Sequence, residues 1–156
     1  MNEKEFKIKI DGIDIIEKAL YKHSVLETDN FNHKIITQAI ANHEKKLAVV
    51  FVLIQIHKMD ETNELLGKIV VGVGFDIENF DDVFPKNENG VIIFPVELEN
   101  FLKGIAISTV RGVMFSEFRG TVLHRAILPI ILLDSLKPAD ANDISLMEMI
   151  SPAKKP

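Results

Sequence analysis

The sequence predicts an α+β fold in which a four-stranded antiparallel sheet is followed by two helices packed on one face. Three observations predict it. Four apolar segments with strand character fall between about residues 5 and 78 and are separated by polar breaks short enough for hairpins. A segment of helical period opens at Pro95. All the strands precede all the helices, the order expected when helices are segregated from one antiparallel sheet. At 156 residues the chain has room for one domain, spanning 1–156.

The first strand is marked by Phe6, Ile8 and Ile10 alternating with Lys7 and Lys9, the pattern of a half-buried strand. Beyond Asp11-Gly12 the apolar parity changes to Ile13 and Ile15, and a bulge at Gly12 restores a common face. The second runs from Phe31 to Ile40, with Phe31, Ile35 and Ala39 on one side and Ile36 and Ile40 on the other. Leu47 to Ile54 is β-branched and apolar without interruption, as expected of a central strand covered on both sides. In the fourth, Leu65, Ile69, Val71, Val73, Phe75 and Ile77 alternate with Lys68, Gly72, Gly74 and Asp76.

An acidic loop follows over 76–94, and helices are expected over about 95–137. The main one runs from Val96 to about Phe115, with Leu98, Phe101, Leu102, Ile105, Ala106 and Val113 on one broad face and Ile107 projecting away from it. Gly104, Ser108 and Gly112 recur every fourth residue along its edge. Glycine inside a helix costs about 1 kcal/mol relative to alanine, so close packing must offset it, either onto the sheet or across a subunit interface. Pro129 interrupts a second apolar segment, Leu123 to Leu133, before a short helix candidate around Asp134 to Lys137, and residues 150–156 read as a frayed tail.

Composition excludes several chemistries. A net charge of −5 without a basic patch argues against nucleic acid. The absence of cysteine removes disulfides, thiolate nucleophiles and cysteine-ligated metal. The longest apolar run, Leu47 to Ile54, is far short of the roughly 20 residues of a membrane span, and the charged start Met1 to Lys7 lacks an export signal's apolar core. A cytoplasmic location without membrane insertion is therefore expected. His23, His33, His43, His57 and His124 have no metal-pair spacing, and the carboxylates Asp76, Glu78, Asp81 and Asp82 lack the glycine and terminal glutamate of a calcium loop. Ser108 and Ser116 have no histidine at a motif spacing. Gly72-Val73-Gly74 lacks the third glycine and the following helix of a phosphate loop; it thins a strand, admitting a covering loop, a neighbouring subunit or an extended peptide. No enzyme, cofactor or metal is expected. An apolar share of 47% is high for a small acidic chain and suggests core, interface and binding surface together.

The order and spacing of Gly72-Val73-Gly74-Phe75, Phe94-Pro95, the helix bearing Ile107-Ser108-Thr109-Val110-Arg111-Gly112, and Leu128-Pro129-Ile130 resemble the SecB family of protein-export chaperones over most of the chain. The resemblance implies an ATP-independent holdase that binds unfolded polypeptides in apolar grooves, assembled as a dimer or tetramer through sheet edges and the long helix. Its partners would be non-native clients, with the SecA motor or an antitoxin as further candidates. The alternative is a module dedicated to one partner, like the chaperones attached to toxin–antitoxin systems. On this basis Val70, Val71, Phe75, Phe80, Phe84 and Phe94 are candidates for client binding, and Gly104, Ile107, Ser108 and Gly112 for the oligomer interface. Two departures stand out. Lys68 occupies a position where export members carry a glutamate used in motor docking, and Ser116 to Ile127 is longer than its counterpart.

Overall fold

The computed structural model describes residues 7–23 and 30–136. Phe6, Lys137 and the tail at 150–156 lie outside the described residues. Four strands, β1 (Ile8–Leu20), β2 (Phe31–Asn42), β3 (Leu47–Lys58) and β4 (Leu65–Ile77), form one antiparallel sheet. Their order is β1-β4-β3-β2, so consecutive β1 and β2 occupy opposite edges while β2-β3 and β3-β4 are hairpins. The predicted bulge is present, with a register shift between Ile10 and Gly12. A second shift between Ile15 and Glu17 carries β1 on to Leu20, opposite Gly67.

The hairpin turns take their shape from short polar side chains. Asn42 Oδ1 accepts the Lys45 amide at 3.0 Å, and Lys46 adopts a φ of 52°. In the β3-β4 turn Asp60 accepts the Thr62 amide at 2.9 Å and hydroxyl at 2.5 Å, and pairs with Lys58 at 2.9 Å. The Thr62 bonds and then the Lys58 charge hold the Asp60 carboxyl down at about 2.

Central β3 is buried on both faces, as its unbroken apolar run requires. Ala48, Val50, Val52, Ile54 and Ile56 face inward with Ile69, Val71, Val73 and Phe75 of β4. Phe51 and Leu53 face outward and form a smaller cluster with Ile36 and Val70. The glycine-thinned part of β4 is filled by the chain itself. A Cβ on Gly72 would lie 3.3 Å from the Phe51 ring and 3.5 Å from Ile16, and Gly74 sits opposite Gly12 of β1. No covering loop, subunit or peptide is needed to explain these glycines.

The acidic stretch is more ordered than a long loop. It contains one helical turn, α1 (Phe80–Val83), entered through Asn79 at a φ of 58°, and then a tight turn in which Asn87 Oδ1 accepts the amides of Asn89 and Val91. Gly90, at a φ of 75°, closes that turn. The main helix, α2 (Val96–Glu117), starts directly after Pro95 and lays Leu102, Ala106, Ile107, Val110 and Met114 on the sheet. Beyond Gly120, single 3₁₀ turns at Val122–Arg125 and Leu133–Ser135 flank an irregular segment, so α2 is the one long helix among the described residues. The predicted second helix is confined to these turns because Pro129 interrupts the segment's backbone hydrogen bonding.

Two polar tethers hold that segment. Arg111 donates from Nε to the Leu128 carbonyl at 2.8 Å and from Nη2 to the Pro129 carbonyl at 2.9 Å. His33 on the inner face of β2 contacts the Ala126 carbonyl through Nε2 at 3.2 Å, which fixes the proton on that nitrogen in the neutral ring. Leu123 packs so closely that a Cβ on Gly67 would lie 2.5 Å from its Cδ1 and 2.9 Å from the Ala19 carbonyl oxygen.

Replacing Arg111 by Met should lower stability by about 1–3 kcal/mol in denaturant titration, since two charge-assisted bonds to carbonyls are lost. Burial pushes the His33 pKa below its ordinary 6.5 against the pull of the Ala126 carbonyl. The unfolded chain therefore binds the proton first. The contribution of His33 to stability should be complete above pH 6.5 and decline as pH falls through the window below it. His33→Gln should flatten that part of a plot of unfolding midpoint against pH.

Candidate apolar binding surface

One end of β1 and the beginning of α2 meet around an open notch lined by Ile8, Leu98 and Phe101; at the other end Lys18 of β1 pairs with Glu117 of α2 at 2.8 Å. Between these points α2 packs on β3, β2 and β4. The inner face of β1 is left open. Ile10, Ile13 and Ile15, which pair with Phe75, Val73 and Val71, are 45%, 46% and 44% exposed although their β4 partners are fully buried. The period-two pattern predicts a half-buried strand; the structure corrects this, because no described element lies over the inner face of β1.

The helix adds a second exposed row. Phe101 is 55% and Phe115 46% exposed, so Phe101 leaves the core face assigned to it from the sequence. Ile107 makes the opposite exchange. Predicted to project outward, it is buried at 3% in the main core and cannot serve an interface in this chain. Gly104 and Ser108 lie on the side of α2 away from the sheet, beside Phe101 and Leu133, in an open groove. A Cβ on Gly104 would meet only Leu133 at 3.6 Å, and one on Gly112 would meet nothing within 4 Å. Packing onto the sheet therefore does not explain the small-residue stripe.

The candidate client-binding set is corrected as a group. Val70, Val71 and Phe75 are fully buried, Phe84 is fully buried, and Phe80 is 4% exposed. Val70 and Val71 also lie on opposite faces of the sheet and cannot share a surface. Phe80, Phe84 and Phe94 stack in sequence, with ring centroids 4.5 and 4.8 Å apart. Phe94 is half-buried against the core. They hold the acidic segment down; they do not line an open groove.

This aromatic stack is capped from the β2-β3 turn. His43 meets the edge of Phe80 at 5.2 Å, and its Nδ1 lies 3.1 Å from Asp81 Oδ1. Lys46 pairs with the same carboxylate and lies 6.0 Å from the centre of the Phe80 ring. Lys46, with a smaller part from His43, holds the Asp81 carboxyl below the usual range. On the outer sheet face Lys68 pairs with Glu17 at 2.6 Å and Lys9 with Asp76 at 3.0 Å. These carboxylate partners raise both ammonium groups above the ordinary lysine value. Among the described residues no group of three metal-ligating side chains occurs, and no helix is long and apolar enough to cross a membrane.

An open four-stranded antiparallel sheet with one long helix laid across it is the SecB-like fold. The solved structure of the SecB-like chaperone Rv1957 of Mycobacterium tuberculosis, in complex with a ChAD peptide from the Rv1956 HigA1 antitoxin, superposes with a TM-score of 0.54 at 11% identity, covering 80% of this chain and 90% of that one. No protein-family model and no curated protein matches the sequence.

The exposed and buried phenylalanines should separate cleanly on mutation. Phe84→Ala should cost about 3–5 kcal/mol through the cavity it leaves. Phe101→Ala should stay within about 0.5–1 kcal/mol in the same chemical denaturation experiment.

Proposed function

We propose that this protein is an ATP-independent holdase that binds extended segments of non-native polypeptide along the apolar surface between β1 and α2. The observation that carries the reading is the exposed row Ile10, Ile13 and Ile15, laid out on the edge strand whose Ile8 end shares a notch with the exposed Phe101 of α2. Contiguous apolar surface on a folded domain marks a binding site. An edge strand adds unpaired backbone donors and acceptors, which recognise a client by its main chain. Such recognition needs no bond-making group. Gly72-Val73-Gly74 lies inside β4 with no helix beginning there, so the nucleotide-cradling geometry has no place in this region. The SecB-like fold and the antitoxin peptide carried by Rv1957 support the same class of function.

A second reading, a module dedicated to one antitoxin-like partner, is favoured by that same bound peptide. Export through the SecA motor receives less support, since Lys68 is matched by Glu17 and leaves that part of the outer face charge-balanced. We place the assembly surface on the outward stripe Gly104, Ser108 and Gly112, where the chain itself gives no reason for small residues.

Adding the purified protein to a slowly folding client should suppress light scattering from aggregation at stoichiometric amounts without ATP. An unchanged aggregation rate at excess would refute the holdase. A pull-down that returns one stoichiometric partner in place of many would favour the dedicated module. For the assembly surface, Gly112→Leu should reduce the oligomer mass by light scattering while leaving the unfolding midpoint nearly unchanged, because the Cβ has open space around it.

A further inference from the structure

The outer face of the sheet is covered, yet no described element lies over it. Ile36, Leu53 and Val70 form one row across β2, β3 and β4, and all three are buried, with Phe51 beside them. Every member of this cluster belongs to the strands themselves. Helices α1 and α2 and the segment after α2 pack into the main core on the other face. The two edge strands supply a measure of what an open face looks like. Ile15 on β1, with nothing described above it, is 44% exposed, whereas Ile36 on edge strand β2 is 3% exposed. Neighbours in a sheet can press on the flanks of an edge isoleucine, but a further layer has to lie over its end to exclude water. The same patch holds Gln38, directly opposite Phe51, whose Oε1 is buried without a hydrogen-bond partner among the described residues. A chain crossing the patch would supply the missing donor.

We infer that residues 144–149 of this same chain dock on the outer face, over Ile36, Leu53 and Val70. Reach excludes the other parts of the chain that lie outside the described residues. Residues 1–6 extend at most about 20 Å from Lys7, whereas the row meets β1 at Glu17, about 30 Å along the strand from Ile8. Residues 24–29 join neighbours held at the far end of the sheet by the Tyr21–Leu66 and Met59–Asn30 backbone bonds. A connection of that length crossing about 14 Å of sheet has about 10 Å of slack, short of the about 17 Å from Lys58 to Leu53. Twenty residues follow Leu136, which packs against the main core. Ile144 can lie up to about 27 Å from Leu136, enough to pass round an edge from the helix layer to the opposite side of the sheet. Of residues 144–149, Ile144, Leu146, Met147 and Met149 are apolar, and methionine adapts to an irregular surface. The outer face is thus occupied by the chain itself, and a partner protein reaching it has to displace this segment.

The chain contains no cysteine, so a pair of introduced thiols reports on a single contact. In the full chain, a short bismaleimide should join Gln38→Cys/Met147→Cys into a cross-linked monomer about tenfold faster than Ile13→Cys/Met147→Cys, at a rate unchanged by dilution. The second pair tests the open inner face of β1. Equal rates for the two pairs, or faster linkage to position 13, overturn the assignment. A covalent dimer that is lost on dilution also overturns it, by making the occupant a second copy. In the double variant Ile144→Glu/Met147→Glu, binding of anilinonaphthalene sulfonate should rise about threefold while the circular dichroism of the sheet is retained, because the outer row is uncovered. Unchanged dye binding in that folded variant removes the contact. None of these readouts depends on chaperone activity, so the holdase can fail while the docked segment stands, and the reverse.

Discussion

One helix cannot cover four strands, and much of this structure follows from that mismatch. Strands spaced about 4.8 Å apart make the sheet about 14 Å wide between its outer strand axes, whereas a helix with its side chains is about 10–12 Å across. Helix α2 is placed over β3, the strand with the most apolar surface to bury. The β2 side is then closed by the segment after the helix, through Ala126, Leu128 and the tethers from His33 and Arg111. No described element is left for β1. Its isoleucines remain open as a consequence of where the single helix lies.

The local periodicities account for how much of the fold can be read in advance. The bulge at Gly12 is legible because a change of parity after a glycine has few other causes. The two-faced burial of β3 is legible because an unbroken run from Leu47 to Ile54 has no polar side to show to water. The candidate site is not legible in the same way. Whether Ile13 is covered depends on strand order, and β1 pairs with β4, the strand farthest from it in sequence, while β2 lies at the opposite edge. Alternation is identical for a strand under a helix and one beside it. Phe75, Phe80 and Phe84 mislead for a related reason: their positions around a glycine-thinned strand and an acidic segment suggest an open groove, and the Phe80-Phe84-Phe94 stack closes it.

Helical phase is ambiguous at two positions whose exchange matters for function. Phe101 lies at one border of the apolar arc drawn from the sequence and Ile107 outside that arc, and the position of the sheet decides which of them is covered. The sheet takes Ile107 and leaves Phe101. This moves the largest apolar side chain of that pair to the surface and gives the outer and β1-facing sides of α2 an aromatic anchor. The same placement turns Gly104 and Gly112 outward, so the helix presents a flat strip to its surroundings and keeps its volume for the core.

The two faces of the sheet solve opposite problems. The outer face pairs opposite charges across β1 and β4, Lys9 directly opposite Asp76 and Lys68 diagonally to Glu17, and its apolar residues collapse onto one another around Gly72. Such a face is nearly neutral in detail and offers little to a charged partner. On the inner side, charge is confined to the ends of an apolar trough, with Lys18–Glu117 at one end and Asp82 and Glu97, unpaired among the described residues, at the other. Apolar burial sets the strength of contacts with such a surface and charge sets their orientation. The inner side thus differs in kind from the outer, apolar along its middle and charged at its ends, where the outer face interleaves paired charges with apolar residues.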